Sequence, residues 1–165
     1  MEVKRNSGEF ALKGAVKLLL FMMLLSAALT IYHVYHAIGA VREDVNEAVL
    51  AVASSNVAEF YGGAREADGY ARHPAEGAFA ASVSSEDILD KLRASTGAEE
   101  TSDETLMKEG SFTIRDLHTS FINFDGTDLN FTTTLTVEVP LMAGGLALSS
   151  IQKNLEVNSS YAPRF

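Results

Sequence analysis

The sequence predicts an α+β protein. A long N-terminal helix, its lower half transmembrane and its upper half amphipathic, packs on a small antiparallel meander of three or more strands. Three features predict it. Leu18 to Val41 runs for 24 residues without Asp, Glu, Lys or Arg. Apolar residues then recur at three- and four-residue spacing from Val41 to Phe60, the period of a helix with one apolar face. From Ser111 onward the period falls to two, most clearly from Leu129 to Val139.

The composition is consistent with that division. A chain of 165 residues holds one real core with a short appendage. It has no cysteine, which excludes a disulfide scaffold, a thiolate metal site and a cysteine nucleophile. A net charge of −9 argues against nucleic acid as a partner, because phosphates are repelled. Mean hydropathy is nevertheless +0.07. So acidic a chain reaches that value only by concentrating its apolar residues in one place.

That place is the segment LLLFMMLLSAALTIYHVYHAIGAV, residues 18–41. As a helix it is about 36 Å long at 1.5 Å per residue, enough to cross a hydrocarbon core of about 30 Å. Tyr32 and Tyr35, beside His33 and His36, are residue types that a membrane–water interface attracts. Residues 1–17 carry Lys4, Arg5, Lys13 and Lys17 against Glu2 and Glu9, a net of +2, which leaves −11 on the rest. The positive-inside rule therefore predicts a cytoplasmic basic N-terminus (1–17), a transmembrane helix (18–41) and an extracytoplasmic α+β head (42–165) in the cell membrane. Three fates compete for the N-terminus. It is an uncleaved anchor, a secretory signal cut after Ala28 in Ser26-Ala27-Ala28, or a segment processed after Gly8. Ser26, Ala27, Ala28, Ala37, Gly39 and Ala40 are candidate positions for close helix packing in lipid, since small side chains let backbones approach.

Beyond the span, the helix extends from about Lys13 to Tyr61, and Gly62-Gly63 ends it. Residues 62–84 read as a Gly- and Ala-rich loop. Ser84 or Ser85 caps a short helix with Glu86 and Asp87 in its first turn, Ile88, Leu89 and Leu92 inward and Gly97 as its stop. The acidic stretch AEETSDETLMKEG reads as loop. A strand follows from Phe112, with a bulge near Asp116 where the alternation changes phase. Asp125-Gly126 turns the chain into a strand with Leu129, Phe131, Thr133, Leu135, Val137 and Val139 on one face. Pro140 ends that strand and Gly144-Gly145 turns the chain. The last strand puts Ile151, Leu155, Val157 and Tyr161 inward. A meander with one apolar face needs a cover, and the Val/Ala stripe of residues 45–60 supplies it.

No constellation points to catalysis or a cofactor. His33 and His36 share a helix face, but two ligands do not make a metal site. Glu43, Asp44 and Glu47 form either a docking patch or a solvated face. Neither Gly62-Gly63 nor Gly144-Gly145 has phosphate-loop spacing, and His73 and His118 lack a nucleophile elbow. The acids from Glu99 to Glu109, with Asp125 and Asp128, lack the ligand spacing of a calcium loop. Asn130 and Asn158 match a glycosylation sequon but read as ordinary polar strand residues.

The stretch AVREDVNEAVLAVASSNVAEFYGGAREADG, the Thr-rich strand ending in VEVPLMAGG and the terminal LEVNSSYAPRF resemble the corresponding segments of TadE-like pseudopilins. The resemblance covers most of the chain at the level of layout. It implies a pilin-like fold and a non-enzymatic, single-pass minor pilin of a bacterial Tad-type pilus assembly system, with other pilin-like or pilus-assembly proteins as partners through the N-terminal helix. Prepilins are cut after a Gly before the apolar helix, with a Glu five residues beyond. Here that Gly is Gly8 and the fifth residue is Lys13, which argues against a polymerising major pilin and for an anchored accessory role. The residues alone leave two alternatives, a membrane-tethered binding module unconnected with pili and a secreted protein released after Ala28.

Overall fold

A computed structural model describes residues 3–66, 83–102, 105–125, 128–143 and 146–162. The chain divides into two compact units, Met1–His36 and Ala37–Phe165. The elements are α1 (Val3–Glu66), α2 (Ser85–Thr96), β1 (Glu99–Ser102), β2 (Thr105–Lys108), β3 (Phe112–Asp125), β4 (Asp128–Ala143) and β5 (Leu146–Tyr161). The five strands form one antiparallel sheet in the order β1-β2-β3-β4-β5. A long N-terminal helix packed on an antiparallel sheet is the α+β fold that the sequence predicts.

Helix α1 begins ten residues before Lys13 and runs through Gly62-Gly63 to Glu66. A helical glycine costs about 1 kcal/mol relative to alanine. The flanking Ala58-Glu59 and Ala64-Arg65-Glu66 are good helix formers, and the helix passes the pair and stops a turn later. Of the loop expected from residue 62, residues 67–82 lie outside the described residues, as do the turn glycines Gly126, Gly144 and Gly145.

Helix α2 is built as its sequence dictates. Ser84 is its N-cap, with Oγ accepting from the Asp87 N–H at 3.1 Å. Gly97 closes the other end at φ 66°, donating to the Arg93 carbonyl at 3.1 Å. Ile88, Leu89 and Leu92 are buried. Ser85 Oγ accepts from the Thr119 N–H at 3.2 Å and ties the helix to β3.

The strands bring two corrections. The acidic stretch read as loop contains a hairpin, β1 on β2, in which Glu100 opposes Leu106. Leu106 is its one apolar anchor, 2% exposed. One buried position among the described residues of the hairpin leaves no period to read. Pro140 does not end β4, which continues to Ala143 with Pro140 opposite Ser150. The reason is position. The last β3–β4 pair in that direction is Thr113 with Glu138. Beyond it β4 has a neighbour on one side only, an edge position where a strand accommodates proline. The bulge near Asp116 is present. The register shifts between Arg115 and His118, and Asp116 adopts φ 53°, a left-handed backbone that Asp tolerates better than most residues.

The core lies between α1 and the inner sheet face. Val41, Val45, Val49 and Ala53 are fully buried on the helix. Phe131, Thr133, Leu135, Val137 and Val139 are their counterparts on β4, with Leu155 and Val157 on β5. Burying one such side chain is worth about 1.5–3 kcal/mol, so this stripe is the main source of stability in the head. Ile151, expected inward, is 41% exposed because it lies where the sheet narrows to two strands. Tyr161 is half-buried. Two polar contacts fix the helix on the sheet. Ser159 Oγ donates to Asn46 Oδ1 at 2.7 Å, and the Arg42 guanidinium donates to the Glu156 carbonyl at 3.3 Å.

Leu92→Ala should destabilise the head by about 2–5 kcal/mol, because a fully buried leucine leaves a cavity. Ser84→Ala should cost about 0.5–2 kcal/mol through the lost cap. Urea unfolding of the detergent-solubilised protein, followed by circular dichroism, measures both, and the leucine variant should have the lower midpoint.

Candidate functional site

The feature that demands a functional account is the lower half of α1. From Leu18 to Leu25 every side chain is exposed, and Phe21 and Leu24 are 60% and 71% exposed. Leu29, Ile31, Tyr32 and Tyr35 continue the exposed series. The helix contains one candidate span, and its most apolar window is not covered by the rest of the chain. A helix apolar on all sides cannot face water at this length, and lipid is the solvent that suits it. Its backbone polar groups are satisfied within the helix, as a hydrocarbon environment requires. The Thr30 hydroxyl is satisfied too: Thr30 Oγ1 donates to the Ser26 carbonyl at 2.9 Å. Tyr32 and His36, one turn apart, bring their rings to 6.1 Å between centroids.

The small residues divide by burial. Ser26, Ala27, Ala28 and Gly39 are exposed, and Ala40 is half-buried. Ala37 is 7% exposed and belongs to the head, where Val41 is fully buried. At 100° per residue the exposed set falls on several faces rather than one stripe. Ala28 and Gly39 share one face, whereas Ser26 and Ala27 point elsewhere. Gly39 has open space where a Cβ would stand, so no contact within the chain demands glycine there. Gly8 is helical within α1.

In the head, the acids of α1 separate. Glu43 and Glu47 are exposed, whereas Asp44 is half-buried. Burial raises the Asp44 carboxyl above its ordinary range, Glu47 and Glu43 add to the effect, and Lys108 on β2 opposes it. His118 is exposed on the outer sheet face opposite Thr134. Arg93 and Glu100 approach to 3.5 Å between α2 and β1. Among the described residues no three His, Asp or Glu side chains come together as a metal site. His73 lies outside the described residues.

The outer sheet face holds an arrangement that sequence alone did not show. Thr132 Oγ1 donates to Asn158 Oδ1 at 2.7 Å, and Thr136 Oγ1 lies 3.2 Å from Asn154 Oδ1. Glu138 accepts from Ser150 Oγ and from Gln152 Nε2 and pairs with Arg115 at 3.3 Å. Alternation marked these residues as outward. Which ones meet depends on the β4–β5 register. The Ser150 hydroxyl holds the Glu138 carboxyl below its ordinary range. Desolvation opposes this, and Gln152 and Arg115 assist.

The two carboxyls predict opposite pH behaviour. Glu138, lowered, contributes stability that is complete above its unfolded pKa and is lost as pH falls through the folded value. Ser150→Ala should therefore weaken the head at neutral pH, with the difference closing below the carboxylate range. Asp44, raised, contributes stability that is present below its unfolded pKa and is lost as pH rises through the folded value. Asp44→Asn should therefore be the more stable protein at neutral pH and lose that advantage in acid. Urea midpoints across the two pH ranges check both signs.

No family model, no curated protein and no solved structure matches this chain.

Proposed function

We propose that this protein is a single-pass membrane protein with a cytoplasmic N-terminus, whose head stands outside the membrane as a non-enzymatic minor component of a pilus-assembly or secretion machinery. The observation that carries the reading is a helix, Val3–Glu66, whose largely apolar residues Phe10 to Leu29 are exposed and whose stripe Val41 to Ala53 is buried against a sheet. The charge balance across Leu18–Val41 supports the orientation. The TadE-like layout of the sequence supports the pilus-related role, and Lys13 in place of a Glu five residues after Gly8 favours an anchored component over a fibre subunit. The exposed Ala28 and Gly39 offer a face for a partner helix in lipid.

The absence of native cysteine makes topology directly measurable. In whole cells a membrane-impermeant maleimide should label Thr134→Cys, on the outer sheet face, and should label Asn6→Cys only after lysis. The reverse pattern would overturn the orientation. The intact mass should correspond to a full-length, membrane-bound chain. A chain beginning at Glu9 would mean processing and fibre entry, and a soluble chain beginning at Leu29 would overturn the anchor. A photo-crosslinker at Ala28 should capture another single-span pilin-like protein, and capture of unrelated membrane proteins alone would favour a tethered module unconnected with pili.

A further inference from the structure

Seven asparagines occur in the chain, and two of them, Asn130 and Asn158, have a hydroxyl residue two places on. The same two each follow an acid by two places. The segments read Asp128-Leu129-Asn130-Phe131-Thr132 and Glu156-Val157-Asn158-Ser159-Ser160. In an extended strand, alternate residues share one face. Both segments are extended, the first in β4 and the second in β5. Their intervening residues Leu129, Phe131, Val157 and Ser159 are buried. Acid, amide and hydroxyl therefore stand together on the outer sheet face in each strand.

The register sets the two segments against each other. Asn130 opposes Ser160, and Thr132 opposes Asn158. They differ in access: Glu156, Asn158 and Ser160 are exposed, whereas Asp128, Asn130 and Thr132 are half-buried. Asn158 Oδ1 accepts from Thr132 Oγ1 at 2.7 Å, and Asn158 Nδ2 makes a long contact of 3.5 Å with Glu156 Oε1. The bond that ties Asn158 to β4 thus uses its carbonyl oxygen. Its nitrogen can take a substituent, keep one N–H and leave that bond intact.

An apolar side chain lies beside this amide. The β3–β4 register shifts between Phe121 and Asn123, and Ile122, between them, is 57% exposed. Ile122 forms one wall of a shallow hollow of about 320 Å³, which Asn130, Thr132, Asn158 and Ser160 also line. One aliphatic wall among uncharged hydrogen-bonding side chains suits a sugar ring, which presents C–H faces as well as hydroxyls.

We propose that Asn158 is an N-glycosylation site, and that the first sugar of its glycan lies in this hollow against Ile122. The proposal rests on the reading above that the head stands outside the membrane. The co-reactant is an oligosaccharide held through its anomeric carbon on a lipid phosphate. Asn158 Nδ2 forms a bond to that carbon, and the bond from the carbon to the phosphate oxygen breaks. The phosphate leaves with the electron pair, and a base of the transferase takes one Nδ2 proton. The hydroxyl two places on makes the amide an acceptor, and the acid on the same face offers a charge for the transferase to hold. These residues are strand-paired in the folded head, so transfer takes place before β5 closes on β4. The consequence is protection. β5 is the last strand of the sheet, paired with β4. A long edge strand invites pairing with another chain, and a bulky, hydrated substituent on it opposes that.

The test is the mass of tryptic peptides from the full-length protein purified from membranes of its native cells. Cleavage after Lys153 and Arg164 releases residues 154–164, and cleavage after Arg115 and Lys153 releases residues 116–153. The 154–164 peptide should exceed its sequence mass by sugar increments that fragmentation maps to Asn158. Asn158→Gln and Ser160→Ala should each remove the addition, and Ser160→Thr should keep it. Ser160→Ala leaves the amide in place and alters one exposed hydroxyl, so its effect is separate from any folding failure of Asn158→Gln. An unmodified 154–164 peptide while Thr134→Cys is labelled in whole cells overturns the glycosylation and leaves the orientation standing. An unmodified peptide with Thr134→Cys labelled only after lysis overturns the orientation and the glycosylation with it. Sugar on the 116–153 peptide alone, or sugar that persists on 154–164 in Asn158→Gln, overturns the assignment to Asn158. Ile122→Ser should lower the melting temperature of the glycosylated protein more than that of Asn158→Gln, and equal shifts overturn the place of the first sugar.

Discussion

The fold depends on one apolar stripe. Val41, Val45, Val49 and Ala53 lie on the face of α1 that covers the sheet, and each is fully buried. A five-stranded antiparallel sheet with one apolar face is not stable in water until that face is covered. Here the cover is a helix whose other half has no water-soluble solution of its own. The same helix leaves its apolar side chains exposed along its lower half, as a candidate membrane span does. Along the helix burial begins at Val34, which is 6% exposed.

The polar contacts set register rather than supply the bulk of the stability. Asn46 with Ser159 and Arg42 with the Glu156 carbonyl fix where α1 lies along β5. Thr119 and Thr133 share a hydrogen bond of 2.9 Å within the apolar face, so the buried Thr133 hydroxyl is satisfied. On the outer face, the Thr–Asn pairs and the Glu138 cluster stitch β4 to β5. They reinforce the β4–β5 ladder, the longest strand pairing of the sheet.

Much of this was legible before the fold. The caps of α2 were readable because Ser84, Asp87 and Gly97 act locally, within one turn of chain. The bulge at Asp116 was readable because it reverses the phase of an alternation. The β1–β2 hairpin was not, because Leu106 is its one buried anchor and its partners are polar. Pro140 was misread because the cost of proline in a strand depends on whether a neighbour needs its N–H, and only the β3–β4 register answers that. Ile151 was misread for the same reason, since an inward side chain is buried only if something lies above it.

The order of residues is enough to locate the apolar segment, the amphipathic continuation of its helix, the cap residues and the two-residue alternation of the long strands. Each is a pattern of neighbours along the chain, which local geometry converts directly into exposed and buried faces. Which faces meet is settled by the three-dimensional fold. It placed Ala37 and Val41 in the head rather than with the span, and it brought Glu138 beside Ser150, Gln152 and Arg115. Those outcomes depend on strand register and on the direction of a helix across a sheet, quantities shared between segments more than a hundred residues apart.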